Sequence, residues 1–160
     1  MNTKLSFLLP LAVLFFSCQT KPTVAPGDCI QPCETKVTSD KDISAKLAAD
    51  LNAINASGSV EGKYKNTLER DYSTLNDKNC LLVLGMRAIE CYKQQGIIDA
   101  PTAQAMAKDA LQVWREAMGA SGTRARFRGK VNTSELIVIN RSPDAAYIKR
   151  ELAANGLITK

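Results

Sequence analysis

The chain contains no histidine. That removes the commonest general base near neutral pH and the commonest metal ligand. Aromatic residues make up only 6% of the chain, with a single tryptophan, Trp114. A phosphate-cradling glycine loop, a Gly-x-Ser-x-Gly elbow and a dinucleotide fingerprint are also missing. The cysteines lack the paired knuckle spacing of structural zinc. With no histidine to activate a thiolate, cysteine nucleophile chemistry loses its usual partner. Two carboxylate pairs exist, Asp40/Asp42 and Glu69/Asp71. Both fall on expected helix surfaces or ends, where solvated charge is ordinary. Neither a metal nor a cofactor is expected, and an enzyme of cell wall or carbohydrate is the last of three functional readings.

What is present begins with MNTKLSFLLPLAVLFFSCQT. Lys4 precedes a predominantly apolar segment, Leu5–Phe16. At twelve residues it falls about eight short of a bilayer-spanning helix. That is the build of a secretory signal peptide, here residues 1–17. Its end, Phe15-Phe16-Ser17-Cys18, resembles the lipobox of bacterial lipoproteins, with Phe15 where leucine is usual. The resemblance implies that Cys18 carries diacylglycerol and palmitate and becomes the mature N-terminus. Several acyl chains on one residue would anchor the protein stably in a membrane. It also implies a place in the bacterial cell envelope, on the outer membrane or facing the periplasm. Residues 18–39, with Pro22, Pro26, Gly27 and Pro32, read as an extended tether.

Residues 40–118 read as a helical domain. Ile43, Leu47, Leu51 and Ile54 recur at helical spacing, giving a first helix over 42–56 with Asp40 or Asp42 as its cap and Gly58 as its end. Val60, Tyr64, Leu68, Tyr72 and Leu75 give a second over 60–75, with Gly62 weakening its first turn. The third, 78–94, is apolar nearly all round between residues 80 and 92, interrupted only by Arg87 and Glu90. Such a helix belongs in the centre of a bundle. Asp99 and Pro101 open a fourth over 100–118, whose apolar stripe is rich in alanine.

The composition then shifts. Arg124, Arg126, Arg128 and Lys130 alternate with smaller or apolar residues, the period of a strand with one charged face. Asn132-Thr133-Ser134 reads as a turn, and 135–141 (ELIVINR) as a second, β-branched strand. Ser142-Pro143 opens a last helix that Asn155-Gly156 closes. The expected fold is therefore mainly α: a disulfide-strapped bundle of about four helices, with a small ββα unit in residues 119–160 packed on it.

Cys18 apart, four cysteines remain: Cys29, Cys33, Cys80 and Cys91. An even number in an exported chain points to two disulfides. Cys80 and Cys91 point the same way on the third helix but lie about 16 Å apart along its axis, beyond the roughly 7 Å a disulfide allows. Cys29 and Cys33 span at most about 14 Å, enough to reach both. The segment CIQPC is expected to lie along the third helix, bonded at each end. Cys29–Cys80 with Cys33–Cys91 and the crossed alternative both satisfy the spans. A local Cys29–Cys33 bridge with two free core thiols is the competing arrangement. Arg87 falls between the two helix cysteines on the wheel and so beside or beneath the strap. Asp28, Glu34 or Glu90 would neutralise it, Glu90 as a buried ion pair.

Charge is unevenly spread. Residues 40–118 carry ten basic and eleven acidic side chains, and residues 119–160 carry eight and three. Arg124, Arg126, Arg128 and Lys130 form a candidate surface for an acidic partner, an envelope protein or an anionic glycan, and not nucleic acid. The first functional reading is a lipid-anchored, non-enzymatic interaction module of adaptor or immunity type. The stretch MRAIECYK, residues 86–93, is similar to one helix of amidase-immunity proteins, over those eight residues alone. The second reading is a small-ligand carrier, its pocket between the third and fourth helices near Trp114 and Arg115.

Overall fold

A computed structural model describes residues 29–35, 37–57, 60, 62–71, 74–119 and 129–158. The signal segment, Cys18, most of the tether and Arg124, Arg126 and Arg128 lie outside the described residues. The fold is mainly helical and carries two disulfides. Among the described residues its helices are α1 (Thr38–Ser57), α2 (Lys63–Asp71), α3 (Lys78–Gln94), α4 (Ala100–Ala117), α5 (Thr133–Ile139) and α6 (Ala145–Ala154).

The central helix is α3. Between residues 80 and 92 every position except Arg87 and Glu90 is buried. Asp77 caps its start by accepting from the Asn79 N–H, and Gly96, at φ 71°, takes the left-handed turn beyond its end. Asp99 caps α4 by accepting from the Thr102 N–H. Hydrogen bonds from Thr102 hold the Asp99 carboxyl below its ordinary pKa. The five residues between α3 and α4 fold these helices into an antiparallel pair, the most extensive packing in the molecule. Ala103, Ala107 and Ala110 face inward on α4 and let it approach α3 closely.

α1 runs parallel to α3. At one end the Asp40 carboxylate reaches the entrance of α3, accepting from the N–H groups of Asn76 (3.1 Å) and Asp77 (2.9 Å). At the other end the Tyr92 hydroxyl donates to the Leu51 carbonyl at 2.8 Å. Asp40 was expected at a helix cap or solvated surface. It is fully buried instead, because two backbone donors and the Asn76 side-chain amide replace its water. α2 is shorter than its apolar pattern suggests. Gly62 sits at φ 73° immediately before it, a backbone conformation that no helix interior adopts, so the helix starts only at Lys63.

The expected second strand is not formed: residues 133–139 are α5. Asn132 and Glu135 make a reciprocal capping box, in which Asn132 Oδ1 accepts the Glu135 N–H (3.0 Å) and Glu135 Oε2 accepts the Asn132 N–H (2.9 Å). Exposure follows the helix as well. Ile137 and Ile139 would share a strand face, yet Ile137 is 53% exposed and Ile139 is fully buried. Of the expected first strand only Gly129, Lys130 and Val131 are described, and they are irregular. Among the described residues there is no strand, so the C-terminal unit is not ββα. It comprises α5 and then α6, which crosses α3 from Asp144, beside Arg87, to Asn155, beside Gln104 of α4.

Candidate functional site

The segment from Cys29 to Cys33 lies in the furrow between α1 and α3. Cys29 is bonded to Cys91 and Cys33 to Cys80, with Cα separations of 5.9 and 5.8 Å. This is the crossed alternative of the two strap arrangements, and the segment therefore runs antiparallel to α3. Its backbone is held between the bridges as well. Asn52 of α1 grips Ile30 with both halves of its amide: Oδ1 accepts the Ile30 N–H and Nδ2 donates to the Ile30 carbonyl, each at 3.0 Å. The Ser44 hydroxyl accepts the Cys33 N–H at 2.7 Å. Ile30 itself is buried in the core.

Arg87 does lie beside the strap, and the helical wheel explains why. One guanidinium nitrogen donates to the carbonyls of Gln31 and Pro32, both at 2.9 Å. The other faces Asp144 at 3.4 Å. Its carboxylate partner is thus Asp144, at the start of α6, and not Glu90. Glu90 instead accepts from the Tyr147 hydroxyl at 3.1 Å and lies 3.8 Å from Arg150. Three positions of about 100° each set Glu90 about 60° around the helix from Arg87, where it meets Tyr147 and Arg150 of α6. Tyr147 sits between two guanidinium groups, 5.7 Å from Arg87 and 5.0 Å from Arg150. Burial first, and then the Glu90 carboxylate, push its phenol well above the ordinary tyrosine range. Each of these groups is engaged in holding the strap or α6.

A second polar node closes the opposite end of the bundle. Arg115, in the last turn of α4, is buried. It pairs with both Glu135 oxygens, at 2.7 and 3.0 Å, and donates to the Lys130 carbonyl at 2.9 Å. Trp114 next to it is fully buried, its indole N–H donating to Asn79 Oδ1 at 3.2 Å. Trp114 and Arg115 are thus engaged in packing, and neither lines the surface groove between α2 and α4 or the one that flanks the strap. Of the four candidate basic residues only Lys130 is described, and it is exposed.

The cysteines fix the two ends of the molecule. Cys29 enters at the Cys91 end of α3. The last turn of α4 and Lys130 meet at the Arg115 node, at the Cys80 end, where Trp114 reaches Asn79.

Two surface grooves stand out among the described residues. One, of about 770 Å³, lies between α2 and α4 and is lined by Tyr64, Lys65, Ile97, Ile98, Met106 and Asp109 among others. The other, of about 690 Å³, flanks the strap between Pro32, Lys41, Ala45 and Pro143. Among the described residues no group of three or more His, Cys, Asp or Glu is arranged to hold a metal ion. No described helix is long and apolar enough to cross a membrane. Asn52, Asp40 and Glu135 went unnoticed as polar anchors in the sequence. Only Glu135 carried a usable signal, the Asn-x-x-Glu spacing of a capping box. The chain matches no protein-family model, no curated protein and no solved structure.

Proposed function

We propose that this protein is exported, lipid-anchored through Cys18 in the bacterial envelope, and acts there as a non-enzymatic interaction module. The observation that carries the reading is its two-ended geometry. Cys29, which follows the tether, is bonded at the Cys91 end, and Lys130, the last of the four basic residues, is held at the opposite end by Arg115. Those ends are separated by about 16 Å of helix axis, the rise over the eleven residues from Cys80 to Cys91. An anchor at one end leaves the other directed toward soluble or neighbouring-membrane partners. Arg124, Arg126, Arg128 and Lys130 put four cations into seven residues with no acidic residue among them. They suit a partner with an acidic face, met by electrostatic steering. Two disulfides are also what an oxidising compartment permits and a reducing cytosol does not maintain.

The test has two arms. Cells fed labelled palmitate are expected to label the wild-type protein and not Cys18→Ala. Crosslinking and capture from envelope extracts are expected to recover an acidic protein with wild type and to lose it with Arg124→Glu/Arg126→Glu/Arg128→Glu. Capture that survives the triple charge reversal would remove the basic segment as the docking site. Release of the captured partner by glycan-degrading enzymes would redirect the assignment to an anionic glycan.

A second reading, small-ligand binding, finds support in the groove between α2 and α4. Its volume lies within the few hundred to about 1,000 Å³ typical of ligand sites, and Lys65 and Asp109 offer opposite charges over the apolar floor of Ile97, Ile98 and Met106. Ligand-induced rises in melting temperature, lost in Met106→Glu, would favour it.

A further inference from the structure

We propose that α1 reads the direction of the strap and so selects which of the two double-bridged pairings forms. The covalent spans are indifferent to direction. Cys29 and Cys33 can reach Cys80 and Cys91 in either order, since a reversed strap closes two bridges over the same distances. What differs is the surface alongside.

Ile30, next to Cys29, offers Asn52 both an N–H and a carbonyl, and Asn52 takes both at 3.0 Å. Ser44 takes the Cys33 N–H at 2.7 Å. Ser44 and Asn52 are eight residues apart on α1, or about 12 Å of rise. The three steps from Ile30 to Cys33 span at most about 10 Å, leaving the short side-chain reaches to complete the match. Reversing the strap would put Pro32 in the place of Ile30. Proline has no N–H, so Asn52 Oδ1, in a side chain only 8% exposed, would lose its donor. The Ile30 side chain would leave its buried seat at the same time. Arg87 contacts Gln31 and Pro32 at the middle of the strap. It strengthens whichever direction is present and does not choose between them.

The direction decides at which end of the bundle the tether leaves. That consequence for membrane orientation rests on the lipid-anchor reading, whereas the pairing selection does not. In glutathione buffer each bridge forms by two exchanges. One cysteine thiolate attacks oxidised glutathione and releases a glutathione thiolate, and the second cysteine thiolate then displaces the other. Two cysteine thiols are oxidised, and one glutathione disulfide is reduced to two glutathione thiols.

The test is refolding of the fully reduced protein in that buffer, followed by acid quenching and peptide mapping. Wild type and Arg87→Met are expected to return only Cys29–Cys91 and Cys33–Cys80. Ser44→Ala/Asn52→Ala is expected to yield the swapped pair as well, the native-to-swapped ratio falling about tenfold for the one donor to Asn52 Oδ1 that only the native direction supplies. Native pairing alone from the double variant would overturn the proposal. Two-cysteine chains that retain Ser44 and Asn52 test it should the double variant not refold. One keeps Cys29 and Cys91, the other Cys29 and Cys80. The native bridge is expected to form with an equilibrium constant against glutathione about tenfold larger, for the same donor to Asn52 Oδ1. Constants within threefold of each other would overturn it.

Discussion

The Tyr64 hydroxyl donates to the carbonyl oxygen of Gly85 at 3.0 Å, at a point where side chains from α2 and α4 crowd α3 and leave no room for one of its own. A Cβ on Gly85 would lie 2.8 Å from that hydroxyl and 3.1 Å from the Cβ of Ala110. Gly85→Ala would gain up to about 1 kcal/mol of helix propensity. It would lose more, about 1–3 kcal/mol, to overpacking. A net loss near 1 kcal/mol is expected in urea unfolding. Tyr64→Phe removes the atom that the new methyl meets first. The double variant is therefore expected to be more stable than the sum of the single changes, a coupling of at least about 0.5 kcal/mol.

Alkaline pH should destabilise the fold through its tyrosines. Burial first, and then neighbouring Tyr92 and Asp109, raise the Tyr64 phenol well above its ordinary value, and burial raises Tyr92 likewise. Above about pH 10 the unfolded chain gives up phenolic protons that the folded chain retains. The stability these groups contribute is complete below that pH and is lost as pH climbs toward the folded-state values. Urea midpoints should be level with respect to these groups from pH 7 to about 9.5 and then fall. Each of the two tyrosines adds about 1.4 kcal/mol per pH unit to the steepness. Tyr64→Phe should reduce that slope by one proton, and an unchanged slope would contradict the assignment.

The Arg115–Glu135 pair fastens α5 to the end of α4. Arg115→Met would take the charged partner from the largely buried Glu135 carboxylate while leaving its capping bond to the Asn132 N–H. Breaking one partner of a buried pair costs about 3–5 kcal/mol. The expectation is a loss of at least about 2 kcal/mol, reduced because Glu135 retains some exposure. Arg115→Met/Glu135→Gln is expected to recover part of it. Hydrogen exchange in residues 131–139 should accelerate in the single variant well before exchange in α3.

Much of the bundle was legible because its signals are local. The apolar girth of α3, the Asp99–Pro101 start of α4 and the glycine stop at Gly96 each sit within a few residues of what they determine. The cysteine spans were legible too, since a helix has fixed rise and a disulfide fixed reach. Strap direction was not, because it depends on Asn52 and Ser44, two unremarkable polar residues on another helix. The same holds for Asp144 as the partner of Arg87, brought there only by α6. The stretch ELIVI was misread because its β-branched residues suit a strand, while the Asn132–Glu135 capping box sets a helix two residues earlier. The candidate acidic-partner surface is a matter apart, since Arg124, Arg126 and Arg128 lie outside the described residues.

Loss of either bridge should be felt throughout the bundle. The bridges join residues 62 and 47 positions apart. Cys29→Ser/Cys91→Ser and Cys33→Ser/Cys80→Ser are each expected to lower stability by about 2–4 kcal/mol. Reduction of the wild-type protein should lower it by more than either pair alone.

The most direct measurement is disulfide mapping of the full chain recovered from cells that express it, with free thiols alkylated before lysis and digestion carried out without reductant. The expected result is two crosslinked peptide pairs, Cys29 with Cys91 and Cys33 with Cys80, and no alkylated cysteine among the four. A peptide joining Cys29 to Cys33, with Cys80 and Cys91 recovered alkylated, would contradict the strapped bundle and the exported, two-ended molecule built upon it.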